Sequence, residues 1–230
     1  MIWENEVTKA LGIKYPIIQA PMLGVTTPEM VAAVCQQGGL GSLPVGGLSP
    51  EKTRELIRKT KAFTPLPFAV NLFANQVPIN TDVEAALDMQ ELLRKISIDN
   101  NFDYEMPQPG SLKFYTYTDQ IDCLLEENVP VVSFTFGALD ASSITALKQR
   151  GTVLIGTATC LEEAEILDEN GIDMITAQGI EAGGHRGTFL EDRPLPMIGL
   201  IPLITTLTGK IKKPIIAAGG IGNGKALKAA

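Results

Sequence analysis

One histidine, one tryptophan and three cysteines are all that 230 residues contain of these types. Cys35, Cys123 and Cys160 are far apart, odd in number and form no CxxC pair. That pattern excludes a disulfide framework and a cysteine-rich metal site. It suits small buried hydrophobes in a reducing, cytoplasmic compartment. Positive charge is also scarce. Nineteen Lys and Arg stand against 26 Asp and Glu, for a formal net charge of −7. The basic residues are scattered among acidic ones, so there is no stripe for a nucleic acid and no attraction to an anionic membrane surface. No apolar run approaches the roughly 18 residues that a membrane span needs. Glu4 and Glu6 interrupt any signal-peptide pattern. A GxGxxG fingerprint, which marks the first βα turn of a dinucleotide-binding sheet, is missing as well.

What is there is the composition of a globular domain with a real core. Apolar residues make up 45% and charged residues 20%, which excludes collagen, helical repeats and disorder. The length fits one domain, 1–230, slightly short of a barrel of about 250 residues.

Short apolar runs alternate with helical segments. Strands are expected at 16–22, 40–45, 68–73, 131–136, 153–157, 174–177 and 214–218. Helices are expected between them, with Thr27 and Ser49 as N-caps before Pro28 and Pro50. The strands are continuous apolar runs, as in a parallel sheet covered on both faces. Glycine or polar punctuation recurs after strand after strand: Gly24, Gly46-Gly47, Asn71, Gly137, Thr159, Gln178-Gly179 and Gly219-Gly220. Barrel chemistry sits at such a rim, which favours a (β/α)8 TIM barrel over a doubly wound sheet. Residues 75–128 break the rhythm and read as an insertion that elaborates the third βα unit. It holds an amphipathic helix at 83–96, a turn-rich stretch at 99–110 and a second helix at 118–127. The chain stops inside the helix after the seventh strand, so the barrel is expected to be truncated there.

The residues that carry chemistry cluster in Gln178 to Phe189, QGIEAGGHRGTF. His185 follows two glycines at the functional end of a strand, and imidazole suits proton transfer near neutral pH. Glu181 and Arg186 flank it, as a loop-stabilising ion pair or as groups that meet the substrate. Asn71 and Gln178 are amides in strands expected to be buried. They can match the edge of a heterocycle or bond to loop backbone. Gln19 presents a weaker form of the same argument. The run PIIAAGGIGNG, residues 214–224, opens a strand into glycines whose N–H groups suit a phosphate.

Taken together, YPIIQAPM, GGLGSL, FAVNLF, VVSFTFG, LIGTAT, AQGIEAGGHRGTF and PIIAAGGIGNG resemble the bacterial nitronate monooxygenases, formerly 2-nitropropane dioxygenases. The resemblance runs along essentially the whole chain, and AQGIEAGGHRG is its most specific part. It implies a TIM barrel that holds FMN without a covalent bond. The implied FMN contacts are Met22, Asn71, Gln178, Gly183, Gly219 and Gly220, and the implied catalytic base is His185. It further implies oxidation of an alkyl nitronate or nitroalkane by O₂ to a carbonyl compound and nitrite, with no metal. Family members continue past this point with an eighth strand that completes the phosphate site. A related EAGGH segment occurs in enoyl-acyl carrier protein reductase II, which uses FMN with NAD(P)H. That enzyme and a quinone reductase are the rival activities, and a non-catalytic truncated barrel is the rival of another class. A homodimer is left open.

Overall fold

The computed structural model of the chain describes residues 3–76, 82–102, 113–191 and 194–229. By internal contacts they form two compact units. Residues 1–75 and 116–230 make the first, and residues 76–115 make the second.

The first unit is built on six parallel strands: β1 (Ser42–Pro44), β2 (Ala69–Phe73), β3 (Val131–Thr135), β4 (Val153–Ala158), β5 (Met174–Gln178) and β6 (Ile215–Ala218). They lie side by side in sequence order, β1-β2-β3-β4-β5-β6. A doubly wound sheet reverses its order at a switch point, and this one never does. Successive right-handed crossovers then place the connecting helices of this unit on one face, which is the arrangement of a (β/α) barrel. Among the described residues β1 and β6 do not pair with each other, and the sheet is open between them.

The expected strand at 16–22 shrinks to one parallel bridge, Ile18 to Leu40. Leu40 N donates to Ile17 O, and Gln19 N donates to Leu40 O. Pro21 has no N–H to continue the ladder, and Pro16 has none to begin it. Among the described residues the sheet therefore has six strands where seven were expected.

The helices of this unit are α1 (Glu6–Leu11), α2 (Pro28–Gln36), α3 (Pro50–Phe63), α5 (Tyr117–Glu126), α6 (Ala141–Gln149), α7 (Leu161–Glu169), α8 (Leu200–Thr208) and α9 (Gly224–Ala229); α4 belongs to the second unit. Local chemistry sets their starts. Thr27 accepts Met30 N and Ser49 accepts Lys52 N, with a proline next in each case. Asp140 accepts Ser143 N ahead of α6.

Side chains on alternate strand positions face opposite ways, and the core divides accordingly. The larger cluster joins Leu43, Val70, Leu72, Val132, Phe134, Leu154 and Ile175 to Val31, Ile57, Leu124, Leu147, Leu167 and Leu203 of the helices. The smaller one fills the concave side with Leu11, Leu40, Ala69, Val131, Ile155 and Met174.

α5, which the sequence reading placed inside the 75–128 insertion, packs in the first unit. Its Gln120 is fully buried. The Gln120 Nε2 donates to Val45 O at 2.7 Å, Leu48 O at 3.0 Å and Thr53 Oγ1 at 2.8 Å. The second unit contains α4 (Val83–Asp99), capped by Asp82 through Ala85 N. Its apolar residues Val83, Leu87, Leu93 and Ile96 stay exposed. Most of the expected turn-rich stretch, 103–110, lies outside the described residues. No described helix is long and apolar enough to cross a membrane.

Candidate active site

The concave face of the sheet changes character along its strands. At the N-terminal end it carries Ala69, Val131, Ile155 and Met174. Two and four residues further on, the same face carries Asn71, Ser133, Thr135, Thr157, Thr176 and Gln178. Asn71 pairs in register with Ser133, and its Nδ2 donates to Ser133 Oγ at 3.0 Å. The hydroxyls of Thr135 and Thr157 lie 3.4 Å apart. A polar layer thus sits above an apolar plug, at the strand ends where barrel sites form.

The loop after β5 folds back onto this layer. Gly187 is buried there, and a β-carbon on it would come within 2.9 Å of the Thr157 methyl and 3.0 Å of the Thr135 methyl. Only glycine allows so close an approach. Gln178 holds the loop from below. Its Oε1 accepts Gly187 N at 2.7 Å, and its Nε2 donates to His185 O at 3.1 Å. Glu163, fully buried on α7, holds the far end by accepting Phe189 N at 2.9 Å and the Thr188 hydroxyl.

His185 itself is exposed. Its ring meets Phe136 edge-on, with centroids 6.1 Å apart, and Phe136 meets Phe73 at 5.1 Å. Phe136 adopts a left-handed backbone, φ 68°. That conformation is unfavourable for a side chain of this size, and its occurrence directly after β3 fits a functional rim. Gly46 closes the row. A β-carbon there would fall 2.4 Å from the Phe73 ring.

Among the described residues, no ion pair joins Glu181 to Arg186. Both Glu181 oxygens accept Leu200 N, at 3.1 and 2.9 Å, and so serve the N-terminus of α8, whose N-cap Gly199 has no side chain to do so. Arg186 Nη1 donates to Gly179 O at 2.8 Å and approaches Gln178 Oε1 at 3.5 Å. Its Nε and Nη2 are buried with no partner.

Of the residues singled out in the sequence, Gln178 and His185 meet in one loop, and Asn71 lies in the polar layer of the same face. Gly219 and Gly220, at φ 138° and 67°, bring their turn against the start of that loop, at Ala182 N and Glu181. Gly183 and its neighbour Gly184 face open space. Met22 is exposed in the 22–26 turn, where its N–H donates to Thr26 Oγ1 at 3.2 Å. Among the described residues, no hydrogen bond or ring contact joins it to the others. Gln19 Nε2 donates to the same Thr26 Oγ1, and Gln19 Oε1 is buried without a donor.

Sequence reasoning missed Ser133, Thr135, Thr157, Phe73, Phe136 and Glu163. The period-two appearance of hydroxyls late in otherwise apolar strands, VVSFT and VLIGTA, was an available signal for the first three. Nothing local announces Glu163, which reads as an ordinary first-turn acid of a helix.

The nitronate monooxygenase family model matches residues 4–230. A probable nitronate monooxygenase of Staphylococcus saprophyticus is 42% identical over 98% of this chain and 63% of its own length. Among solved structures, a nitroalkane oxidase from Streptomyces ansochromogenes is 34% identical with a TM-score of 0.82, over 97% of this chain and 64% of that one. FabK from Thermotoga maritima is 26% identical with a TM-score of 0.71, over 98% of this chain and 57% of that one. The chain therefore spans somewhat under two thirds of the length of these relatives. With a sequential parallel sheet, a glycine-flanked imidazole at its C-terminal rim and a family match along the described site, the chain belongs to the nitronate monooxygenase family.

Proposed function

We propose that this protein oxidises alkyl nitronates of the 2-nitropropane type with O₂, giving a carbonyl compound and nitrite, with FMN as cofactor and His185 as the base. The observation that carries the reading is His185 itself. The only imidazole in the chain stands at the C-terminal rim of the sheet, on a loop bound to β5 through Gln178.

The residues present suit a flavin. Buried polar atoms without partners are costly, by about 1–3 kcal/mol each. Gln19 Oε1 is an orphaned acceptor, and Arg186 Nε and Nη2 are orphaned donors. A ligand that offers N–H or O–H groups together with carbonyl or anionic oxygens answers both needs, and FMN offers all of these. Asn71, Gln178, Met22, Gly183, Gly219 and Gly220 are the residues we assign to holding it. When bound, the flavin supplies the two-electron acceptor that passes electrons on to O₂. His185 takes the proton from the carbon bearing the nitro group when a neutral nitroalkane enters, or orients a nitronate that arrives ionised. Phe73 and Phe136 give the site an apolar wall suited to the alkyl part of the substrate.

The test is the visible spectrum of the protein with FMN, taken without oxygen or nicotinamide, as an alkyl nitronate is added. The reading requires the oxidised flavin band to bleach, and requires the bleaching by the neutral nitroalkane, added in a second run, to be largely lost in His185→Asn. A flavin that stays oxidised with nitronate but bleaches with NADH would replace it with a reductase activity. Failure to retain flavin at all would favour a non-catalytic chain.

A further inference from the structure

Glu163 lies on α7, outside the His185 loop in sequence, and is fully buried. A buried carboxylate is tolerated only when its oxygens are well hydrogen-bonded. Here each oxygen has two donors. Oε2 accepts Thr159 N at 2.7 Å and Thr159 Oγ1 at 2.8 Å. Oε1 accepts Phe189 N at 2.9 Å and the Thr188 hydroxyl. The first pair is local to the β4–α7 turn. The second reaches 25 and 26 residues along the chain, to the far end of the His185 loop.

We infer that Glu163 is a positioning residue for His185. The near side of the loop has little stiffness of its own, since Gly183 and Gly184 precede the imidazole with open space around them. Gln178 binds the backbone at His185 and Gly187 from β5. Glu163 binds the backbone and hydroxyl just beyond, at Thr188 and Phe189, from α7. Held at both points, the backbone that carries the imidazole keeps one place, with the ring beside Phe136. The carboxylate suits this role because, when ionised, it only accepts, and all four of its partners can donate. An amide in its place presents one N–H₂ to a pair of donors. A threonine hydroxyl can turn to accept, but Thr159 N or Phe189 N is then left facing a donor.

The inference rests on the reading of His185 as the base, yet its test needs no substrate. Because the chain has a single histidine, protein labelled with ¹³C-histidine shows one imidazole Cε1–Hε1 signal. In Glu163→Gln we expect that signal to move toward the position of a free imidazole or to broaden. We also expect amide exchange at Gly187 and Phe189 to rise roughly tenfold while β3 and β4 keep their protection. Glu165→Gln, an exposed neighbour on the same helix, should leave both readouts as they are. Thr188→Val removes one donor and leaves the carboxylate in place. It should shift the histidine signal in the same direction, and Thr188→Ser should restore it. This second series decides the matter if Glu163→Gln does not fold. An unchanged histidine signal and unchanged exchange in a folded Glu163→Gln, or in Thr188→Val, would overturn the inference. A parent chain inactive toward nitronates whose histidine signal still moves in Glu163→Gln would remove the proposed reaction and leave the clamp standing.

Discussion

Gln178 brackets His185: its Nε2 donates to the histidine carbonyl at 3.1 Å while its Oε1 receives Gly187 N, two residues on, at 2.7 Å. One amide thus uses both of its ends on the backbone around the imidazole. Gln178→Glu keeps the acceptor and loses the donor, and Gln178→Ala loses both. Displacing a reacting group by about 1 Å costs on the order of 10²-fold in rate. Nitronate turnover should therefore fall about 10- to 100-fold in Gln178→Ala and less in Gln178→Glu. Steady-state oxygen consumption with saturating nitronate measures this. Equal rates in all three proteins would show that the bracket does not matter to the reaction.

His185→Asn should distinguish the two forms of substrate. General-base assistance contributes about 10²- to 10⁴-fold, and only a neutral nitroalkane needs its proton removed. Oxidation of the neutral form should fall by that amount, while oxidation of the pre-ionised nitronate should fall less. Rates with both forms, assayed side by side at one pH, check this. Equal losses would give His185 an orienting role alone.

Gly46 should tolerate no β-carbon. The ring of Phe73 lies 2.4 Å from where one would stand, and behind Phe73 stand Phe136 and then His185. Overpacking of this kind destabilises by about 1–3 kcal/mol. Urea denaturation of Gly46→Ala should show a loss in that range, and the loss should shrink when Phe73→Leu is added. Full stability in the single variant would mean that the ring moves aside freely.

Asp140 should contribute stability that acid removes. The hydroxyls of Ser142 and Ser143, the Ser143 N–H and the Tyr117 hydroxyl hold its carboxyl well below the usual carboxylate range. A folded-state pKa below the unfolded value of about 3.9 means the contribution is complete above that pH. It is lost as the pH falls toward the folded value. The stability difference between the parent and Asp140→Asn should be constant from pH 7 to about pH 5 and should shrink below about pH 4. Thermal melts across that range test it, and a difference that grows in acid would contradict the assignment.

Burial pushes the thiols of Cys35 and Cys123 above their ordinary pKa, and Cys160 is buried as well. Thiolate is the reactive form, so all three should resist an aromatic disulfide reagent at pH 8 in the folded protein. All three should react once it is unfolded. Prompt labelling of the native chain would mean local opening around α2, α5 or the start of α7.

The caps, the strands and the His185 loop could all be read along the chain, because each depends on near neighbours. Thr27 and Ser49 cap their own helices through an N–H three residues on. The apolar runs at 69–73 and 131–135 read as strands because continuous hydrophobicity suits burial on both faces. His185 could be singled out as the lone imidazole between glycines. The strand expected at 16–22 could also have been doubted from local chemistry, since Pro16 and Pro21 each lack a ladder donor.

Tertiary structure alone decided which groups meet. Glu181 and Arg186 are neighbours in sequence that do not pair, because one serves the N-terminus of α8 and the other a carbonyl after β5. Glu163 and Phe189, 26 residues apart, do meet. So do Asn71 and Ser133, 62 residues apart. Periodicity assigns a side chain to a face and a cap to a helix. The partner across a sheet or beneath a loop is set by strand register and by how far a glycine lets the backbone approach, and neither is written in the neighbouring residues.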